Sequence, residues 1–448
     1  MNTIPPKTKP INVYARWRPL TPSEAVSGGI TSTTATNTQS LLSLSLRRQT
    51  SAADRPWTSS SAFHAVFGPE DNNSKVYDAI VVPAIPKVLQ GGNCSFFAYG
   101  HSGSGKTHTI IGYDDENTKE LGLCLAAARG LFEAIDVINK EGTASELGIG
   151  FSLFELRRKS AFDLLNKRTE CHIREAHGKI HIRGETEVLE GGKVRVCPIV
   201  KQPCKSFGEF QQELAQALAY RSVGASTVHD LSSRTHAVLE LEIINQQLLD
   251  AREALVDRQS ELVPVGKRAT DISIEEQMKS VMRTPEGGWA PNPDHRINQE
   301  RIDAAEREKD RFEARVQAAE EQVDHILAST MSPCLGAKMV FVDLAGAEYH
   351  QEKGAQLQTP KQTPQERQEG RQINTDLLAL KEVIRAWSKN EPRIPFRASS
   401  LTMVLREHFM TSGEGSSAMI VTVSPAQEQY LATLNSLKYG SLVGAATT

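Results

Sequence analysis

The sequence predicts an α/β fold: a central sheet with helices on both faces, interrupted by an inserted helical hairpin. Three observations predict it. Strand-sized apolar runs alternate with amphipathic helical stretches along most of the chain. One glycine-rich stretch, FFAYGHSGSGKTHTI at residues 96–110, passes from a buried strand through a turn into a helix. Residues 246–334 leave the alternation and show heptad spacing instead.

The bulk properties fit such a fold. With 448 residues, 39% of them hydrophobic, the chain can bury one large core or two modest ones. Its apolar runs are short, and none approaches the roughly 18 residues of a membrane span. Residues 1–8 read as a short extension, and the first ten residues hold no apolar signal core, so a cytoplasmic protein is expected. The six cysteines (Cys94, Cys124, Cys171, Cys197, Cys204, Cys334) are scattered without a CxxC pair, which argues against a zinc site or a disulfide framework. A net charge of −3 argues against a nucleic-acid binder.

The elements follow in order. Residues 9–20, KPINVYARWRPL, alternate as a strand and end at a proline. Residues 21–60 are rich in Ser, Thr and Ala and read as a long surface loop with one hairpin. SKVYDAIVVPAIPKVLQG has helical spacing before the strand CSFFAYG, and GLCLAAARGLFEAIDVI is helical again. IGFSLFELRRKSAFDLL reads as strand, turn and helix, and FGEFQQELAQALAYRSVG as an amphipathic helix. After residue 335, AKMVFVDLAG is a buried strand ending in a glycine turn, INTDLLALKEVIRAW a helix, SAMIVTVSPA a strand and YLATLNSLKYGSLV a closing helix.

Within 246–334, Ile302, Ala305, Phe312, Val316, Ala319, Val323 and Ile326 keep a 3-4 spacing, with Lys309 as the one polar break. Leu248, Ala251, Leu255 and Leu262 keep the same register, broken by Arg258. RTPEGGWAPNPDHR between them is full of turn residues, so two helices can fold back as an antiparallel hairpin. A single solvated helix is the plainer alternative. The segment holds 12 Lys/Arg and 18 Asp/Glu, an acidic insert in a slightly basic body.

Residues 100–107 fit G-x-x-x-x-G-K-[ST], with Gly100, Gly105, Lys106 and Thr107 at the defining positions. Glycines let backbone N–H groups curl around phosphates, Lys106 would neutralise the β and γ oxygens, and the Thr107 hydroxyl would ligate Mg²⁺. Such a site needs a second acid and a sensor of the γ-phosphate. Asp343, ending an apolar strand, could hold Mg²⁺ through water, and Gly346 could present its N–H to the γ-phosphate; an N-capping Asp is the plainer reading. HDLSSRTHAV at 229–238 supplies Ser232, Ser233 and Arg234, either a polar loop or a switch loop reaching metal, water or phosphate. Arg234 could pair with Glu348 across the site.

These motifs, in this order, resemble the kinesin motor domain. INVYARWRPL is similar to that family's first strand and Arg-x-Arg-Pro turn, and FAYGHSGSGKTHTI to its phosphate loop. SSRTH resembles switch I, DLAGAE switch II, and INTDLLALKEVI the switch II helix. IPFRASSLTMVLREHF and VSPAQEQYLATLNSLKYG are similar to the closing segments. The resemblance covers residues 9–448 outside 21–60 and 246–334. It implies a mostly eight-stranded mixed sheet, hydrolysis of MgATP to ADP, and microtubule or tubulin binding on the cytoplasmic cytoskeleton. It implies that His101, Ser102, Gly103 and Ser104 line the phosphate loop beside Gly100, Gly105, Lys106 and Thr107. Arg16, Pro19 and His108 fall on its adenine-contacting positions. Ser233 joins Thr107 and Asp343 around the metal, and Ser232, Ser233, Arg234, Gly346 and Glu348 carry the reaction.

Several positions depart from the family. His229 stands where switch I has Asn, Thr235 where it has Ser, and Ala347 where switch II has Ser or Asn. Ser400 and Met403 replace the usual basic or polar residues, which lowers attraction to acidic tubulin. The branch that depolymerises microtubules is the most similar one. Its Lys-Val-Asp tip is missing from SLSLRRQTSAADRPW, and with only about ten residues before the core in this sequence its basic neck is not expected within it. Residues 246–334 join two strands at the ends away from the phosphate-sensing loops, so they are expected to project away from the nucleotide and to bind a protein partner or act as a spacer.

Overall fold

The computed structural model describes residues 11–447 except 26–28, 37–39, 48–54, 113–119, 143–145, 177, 191–192, 223–233, 286, 329–331, 348–363, 390 and 411–414. The described residues form two compact units: one of residues 1–182, 199–244 and 333–448, and one of 183–198 and 245–332.

The first unit is built on a mixed sheet. Its strands are β1 (Ile11–Trp17), β2 (Ala65–Phe67), β3 (Cys94–Tyr99), β4 (Leu147–Arg157), β5 (Ser160–Asp163), β6 (Thr169–Ala176), β7 (Lys179–Arg183), β8 (Gln202–Cys204), β9 (His236–Asn245), β10 (Lys338–Asp343) and β11 (Ser417–Val423). A path of ten runs β7-β6-β5-β4-β9-β10-β3-β11-β1-β2, and β8 pairs with β4 as an eleventh. Strands β10, β3, β11, β1 and β2 are mutually parallel, and β9 pairs antiparallel with β10. The central strands β3 and β11 are buried at every residue, as strands covered on both faces must be. Phe96 of β3 stacks on Phe341 of β10 at 4.9 Å. Flanking helices are α1 (Asn73–Ile80), α2 (Lys106–Ile110), α3 (Leu123–Lys140), α4 (Phe207–Ser222), α7 (Pro364–Ser388) and α8 (Tyr430–Thr447).

The sheet exceeds the eight strands expected because the chain meanders after β4. Antiparallel partners β5 and β6 extend that edge. The SAFDLL stretch, read from its pattern as a helix, forms strand β5 over Ser160–Asp163 and then a turn. Arg158 takes φ 57° at the tight turn before it, and Ala161 and Asp163 are buried in strand alternation. The loop expected over 21–60 contains a three-stranded sheet of Thr31–Thr36, Leu42–Arg47 and Trp57–Thr58. Its alternation LSLSLR buries Leu44 and Leu46 completely.

The second unit consists of α5 (Gln246–Lys279), α6 (Gln299–Leu327) and two short ribbons, Val281–Arg283 with Trp289–Pro291 and Glu187–Val188 with Val194–Arg195. The Asn245 side chain caps α5 and that of Asn298 caps α6, each accepting an N–H at the third position. Ion pairs Glu261–Arg315 (2.8 Å), Arg268–Glu308 (3.4 Å) and Glu276–Arg301 (2.7 Å) show that α5 and α6 run antiparallel. Apolar burial is sparse: the buried apolar positions are Leu248, Val265 and Ala269 on α5 and Ala305, Val323 and Ile326 on α6. Residues 183–198 belong to this unit although residues 199–244 separate them from the rest of it, and Val196 N donates to Ser260 Oγ at 3.0 Å. Pattern alone did not indicate that attachment.

Candidate nucleotide site

The phosphate loop begins where β3 ends and finishes at the first residue of α2, so the chain turns in residues 100–105. Gly103 and Gly105 take φ 73° and 98°, a region that a side chain disfavours. At Gly100 a Cβ would lie 2.3 Å from the Thr422 carbonyl oxygen, so only glycine lets β3 leave beside β11. Ser104 Oγ and Thr422 Oγ1 are hydrogen-bonded at 2.7 Å, tying the loop to that strand. Arg18 Nε donates to the Gly103 carbonyl at 2.8 Å while its guanidinium pairs with Glu24. Ser102 is exposed and His101 is buried. Burial pulls the His101 imidazole down to about 4, and its neutral ring donates from Nδ1 to the Ser102 carbonyl at 2.8 Å.

Lys106 is 5% exposed, and its Nζ lies within the loop, donating to the carbonyls of Gly100 (3.1 Å) and His101 (2.9 Å). Burial lowers its amine to about 8, with the Asp343 carboxylate acting in the opposite direction. Thr107 Oγ1 donates to Asp343 Oδ2 at 2.7 Å. Asp343 sits at the C-terminal end of β10, level with Ala98 of β3. Its Oδ1 is buried with no hydrogen-bond partner among the described residues. An unsatisfied carboxylate oxygen beside a threonine hydroxyl suits a hydrated divalent cation, so these residues fit Mg²⁺.

The chain after Asp343 runs against the phosphate loop. Ala347 N donates to the Gly100 carbonyl at 3.3 Å, and a Cβ on Gly346 would meet Ser102 N at 2.7 Å. Gly346 thus brings its backbone against the loop as no other residue could.

The adenine-position residues separate. Pro19 is exposed and His108 half-buried, with His108 Nε2 3.5 Å from Glu120. Burial, then the nearby Arg16 charge, holds the His108 ring below the ordinary histidine range. Arg16 turns inward: its Nη1 donates to Asn73 Oδ1 (2.5 Å) and Thr109 Oγ1 (2.8 Å). Asn73 in turn donates to the carbonyls of His108 (3.1 Å) and Glu120 (2.9 Å), so Arg16 props the wall that carries His108. Arg234 lines a small cavity with Leu156, His236, Glu369 and Asp376. Ser232, Ser233, Glu348 and His229 lie outside the described residues.

Two residues here, Arg221 and Glu155, were not read from the sequence. Arg221, 5% exposed in the last turn of α4, donates from Nη1 to Asp343 Oδ2 at 3.2 Å and from Nε to Glu155 Oε1 at 3.1 Å. Thr235 Oγ1 donates to the same Glu155 oxygen at 2.8 Å. His236 Nδ1 accepts from Ala345 N–H at 3.0 Å. The signal for Arg221 was available: it continues the stripe Phe210, Leu214, Ala217 that α4 buries, and a charge on an apolar stripe calls for a buried partner.

A family model described as the kinesin motor domain matches residues 16–265 and 312–445. Kinesin-like protein KIF22 of Mus musculus is 25% identical over 377 residues, covering 84% of this chain and 41% of that protein. Kinesin-like protein KIF24 of Homo sapiens is 26% identical over 434 residues, covering 97% and 23%. Kinesin-like protein KIN-13B of Arabidopsis thaliana is 28% identical over 383 residues, covering 85% and 39%. The chain therefore spans about two fifths of these curated relatives, or less. Among solved structures, the motor domain of a Kar3-like kinesin from Ashbya gossypii superposes with a TM-score of 0.58 at 20% identity, covering 97% of this chain and 99% of that one. A fast kinesin gives a TM-score of 0.61 at 20% identity, covering 97% and 91%. Both likenesses concern the fold. Because the family model accounts for most of its length, this chain belongs to the kinesin motor domain family.

Proposed function

We propose that the chain binds MgATP at the 100–107 loop and hydrolyses it in a manner coupled to microtubule or tubulin binding. The observation that carries this reading is the Thr107–Asp343 hydrogen bond of 2.7 Å, which unites the phosphate loop with a strand end 236 residues away. Lys106 would exchange the loop carbonyls for the β and γ oxygens of the triphosphate. Thr107, Asp343 and Ser233 would hold Mg²⁺. A bound ion would supply neutralisation of the phosphate charge. Gly346 N–H and Ser232 would sense the γ-phosphate, and Arg234 with Glu348 would close the site around the attacking water. Pro19 and His108 would cover the base, with Arg16 acting through Asn73. Water attacks the γ-phosphorus and ADP leaves; fixed donors aimed at the developing charge supply most of the acceleration.

Microtubule ends are the expected site of action, from the similarity to the depolymerising branch, and the cytoplasmic cytoskeleton the expected location. Residues 246–334 would serve as a partner-binding or spacing element rather than a catalytic one. His229 favours a second reading, in which the chain holds nucleotide but hydrolyses it weakly and acts as a tubulin-binding scaffold. Steady-state ATP hydrolysis with and without microtubules and free tubulin, beside Lys106→Ala as a blank, separates the two. Stimulation well above the blank supports the motor. ATP bound without turnover supports the scaffold.

A further inference from the structure

His236, the first residue of β9, is 3% exposed, and its Nδ1 accepts the N–H of Ala345 at 3.0 Å. Burial, then the charges of Lys106 and Arg221, keeps this ring neutral, with its pKa pulled down to about 3. A neutral imidazole that accepts at Nδ1 carries its proton on Nε2. That Nε2 is buried and has no hydrogen-bond partner among the described residues. The carboxylate that faces it is Asp376 of α7, whose Oδ2 lies 4.0 Å away and which is 4% exposed. The other carboxylate oxygen, Oδ1, accepts from Gln372 Nε2 at 3.0 Å, which fixes the rotamer one turn along the same helix. Helix α7 is anchored by Ile373, Leu377, Leu380 and Ile384, all in the main core.

We propose that Asp376 is a positioning residue for the phosphate-sensing loop, acting through His236 on the Ala345–Gly346 backbone. The inference rests on the nucleotide reading above. The gap between His236 and Asp376 exceeds a hydrogen bond by about 1 Å. A shift of α7 of that size closes it and satisfies a buried donor. Because Gly346 is packed on Ser102 with no room for a Cβ, a ring held by Asp376 holds the segment that faces the γ-phosphate. An acceptor at position 376 therefore favours the triphosphate-bound arrangement and is indifferent to a nucleotide without a γ-phosphate.

The test measures binding of a non-hydrolysable ATP analogue and of ADP, each with Mg²⁺, to the full chain and to Asp376→Ala and Asp376→Asn. Asp376→Ala is expected to weaken the ATP analogue about tenfold and to leave ADP within about twofold, the size of effect one hydrogen bond carries. Asp376→Asn keeps a carbonyl acceptor at the same reach and is expected to restore most of the loss. Equal weakening of both nucleotides, unchanged affinity for both, or no rescue by Asn would overturn the proposal. Failure of the unaltered chain to bind either nucleotide would instead overturn the ATP reading on which it rests. Asp376→Ser, with a side chain too short to reach His236, replaces the alanine variant if a thermal melt shows that the latter does not fold.

Discussion

Arg221 joins two buried carboxylates, Asp343 at 3.2 Å and Glu155 at 3.1 Å, and so locks the last turn of α4 to the ends of β10 and β4. Both acids are about 1% exposed. Burying carboxylates is costly unless each is paired and hydrogen-bonded. Here Thr235 and Arg168 supply further partners for Glu155, and Thr107 one for Asp343.

Removing the shared cation should therefore hurt more than removing an ordinary surface arginine. Arg221→Ala is expected to lower unfolding free energy by about 3 kcal/mol, the scale of an orphaned buried charge. Arg221→Lys should recover only part of it, because an ammonium cannot serve both acids with a planar fork. Denaturant unfolding of the three proteins checks this, and an alanine variant as stable as the parent would contradict it.

Lys106 is built for a ligand rather than for stability. Burial disfavours the charged form and pushes its amine down to about 8, against the ordinary 10.5 of the unfolded chain. Between those values the unfolded chain binds the extra proton, so this group's contribution to stability rises with pH from about 8 to 10.5 and its penalty is full below 8. The penalty is about 3 kcal/mol at most. Lys106→Met is expected to raise the Tm of the protein in chelator at pH 7, with the gain shrinking by pH 10, and to abolish ATP binding. Thermal melts at the two pH values, with a nucleotide titration, test both halves.

The Asp343 carboxylate has one oxygen engaged by Thr107 and one without a partner among the described residues. Asp343→Asn keeps the shape and the Thr107 contact but loses the charge that a divalent ion needs. Hydrolysis should fall about 100-fold, the usual cost of removing one electrostatic stabiliser, and the Mg²⁺ dependence of nucleotide binding should flatten. Titrating Mg²⁺ at fixed ATP reads the second effect; an unchanged Mg²⁺ midpoint would count against Asp343 as a metal holder.

Strands β9 and β10 pair antiparallel from Ala237–Asp343 to Glu242–Lys338, so Asp343 and the junctions near 244 and 333 lie at opposite strand ends. Ile243 exchanges backbone hydrogen bonds with Ala337 (3.0 Å) and Gly336 (2.8 Å), which brings the junctions close enough for a short turn. Replacing residues 246–332 by a Gly-Ser turn should leave nucleotide affinity within about threefold, because no residue of the candidate site comes from that segment. Loss of nucleotide binding by a folded deletion protein would show that the segment supports the site.

By itself the sequence determined the layered α/β organisation, the phosphate loop and the acid that meets it. Those features are local: strand and helix periods, glycines where φ must be positive, and Lys106 and Thr107 at the spacing a helix start imposes. The tertiary structure alone decided what long-range packing sets. Arg16 falls by resemblance on an adenine-contacting position, and only the approach of Asn73 and Thr109 shows it turned inward on the wall behind His108. SAFDLL carries a pattern short enough for helix or strand, and pairing with β4 resolved it as β5. The attachment of residues 183–198 to the inserted unit and the Arg221 bridge depend on contacts between segments dozens to more than a hundred residues apart. Periodicity describes which face of one element is buried; it carries no information about which distant element covers that face.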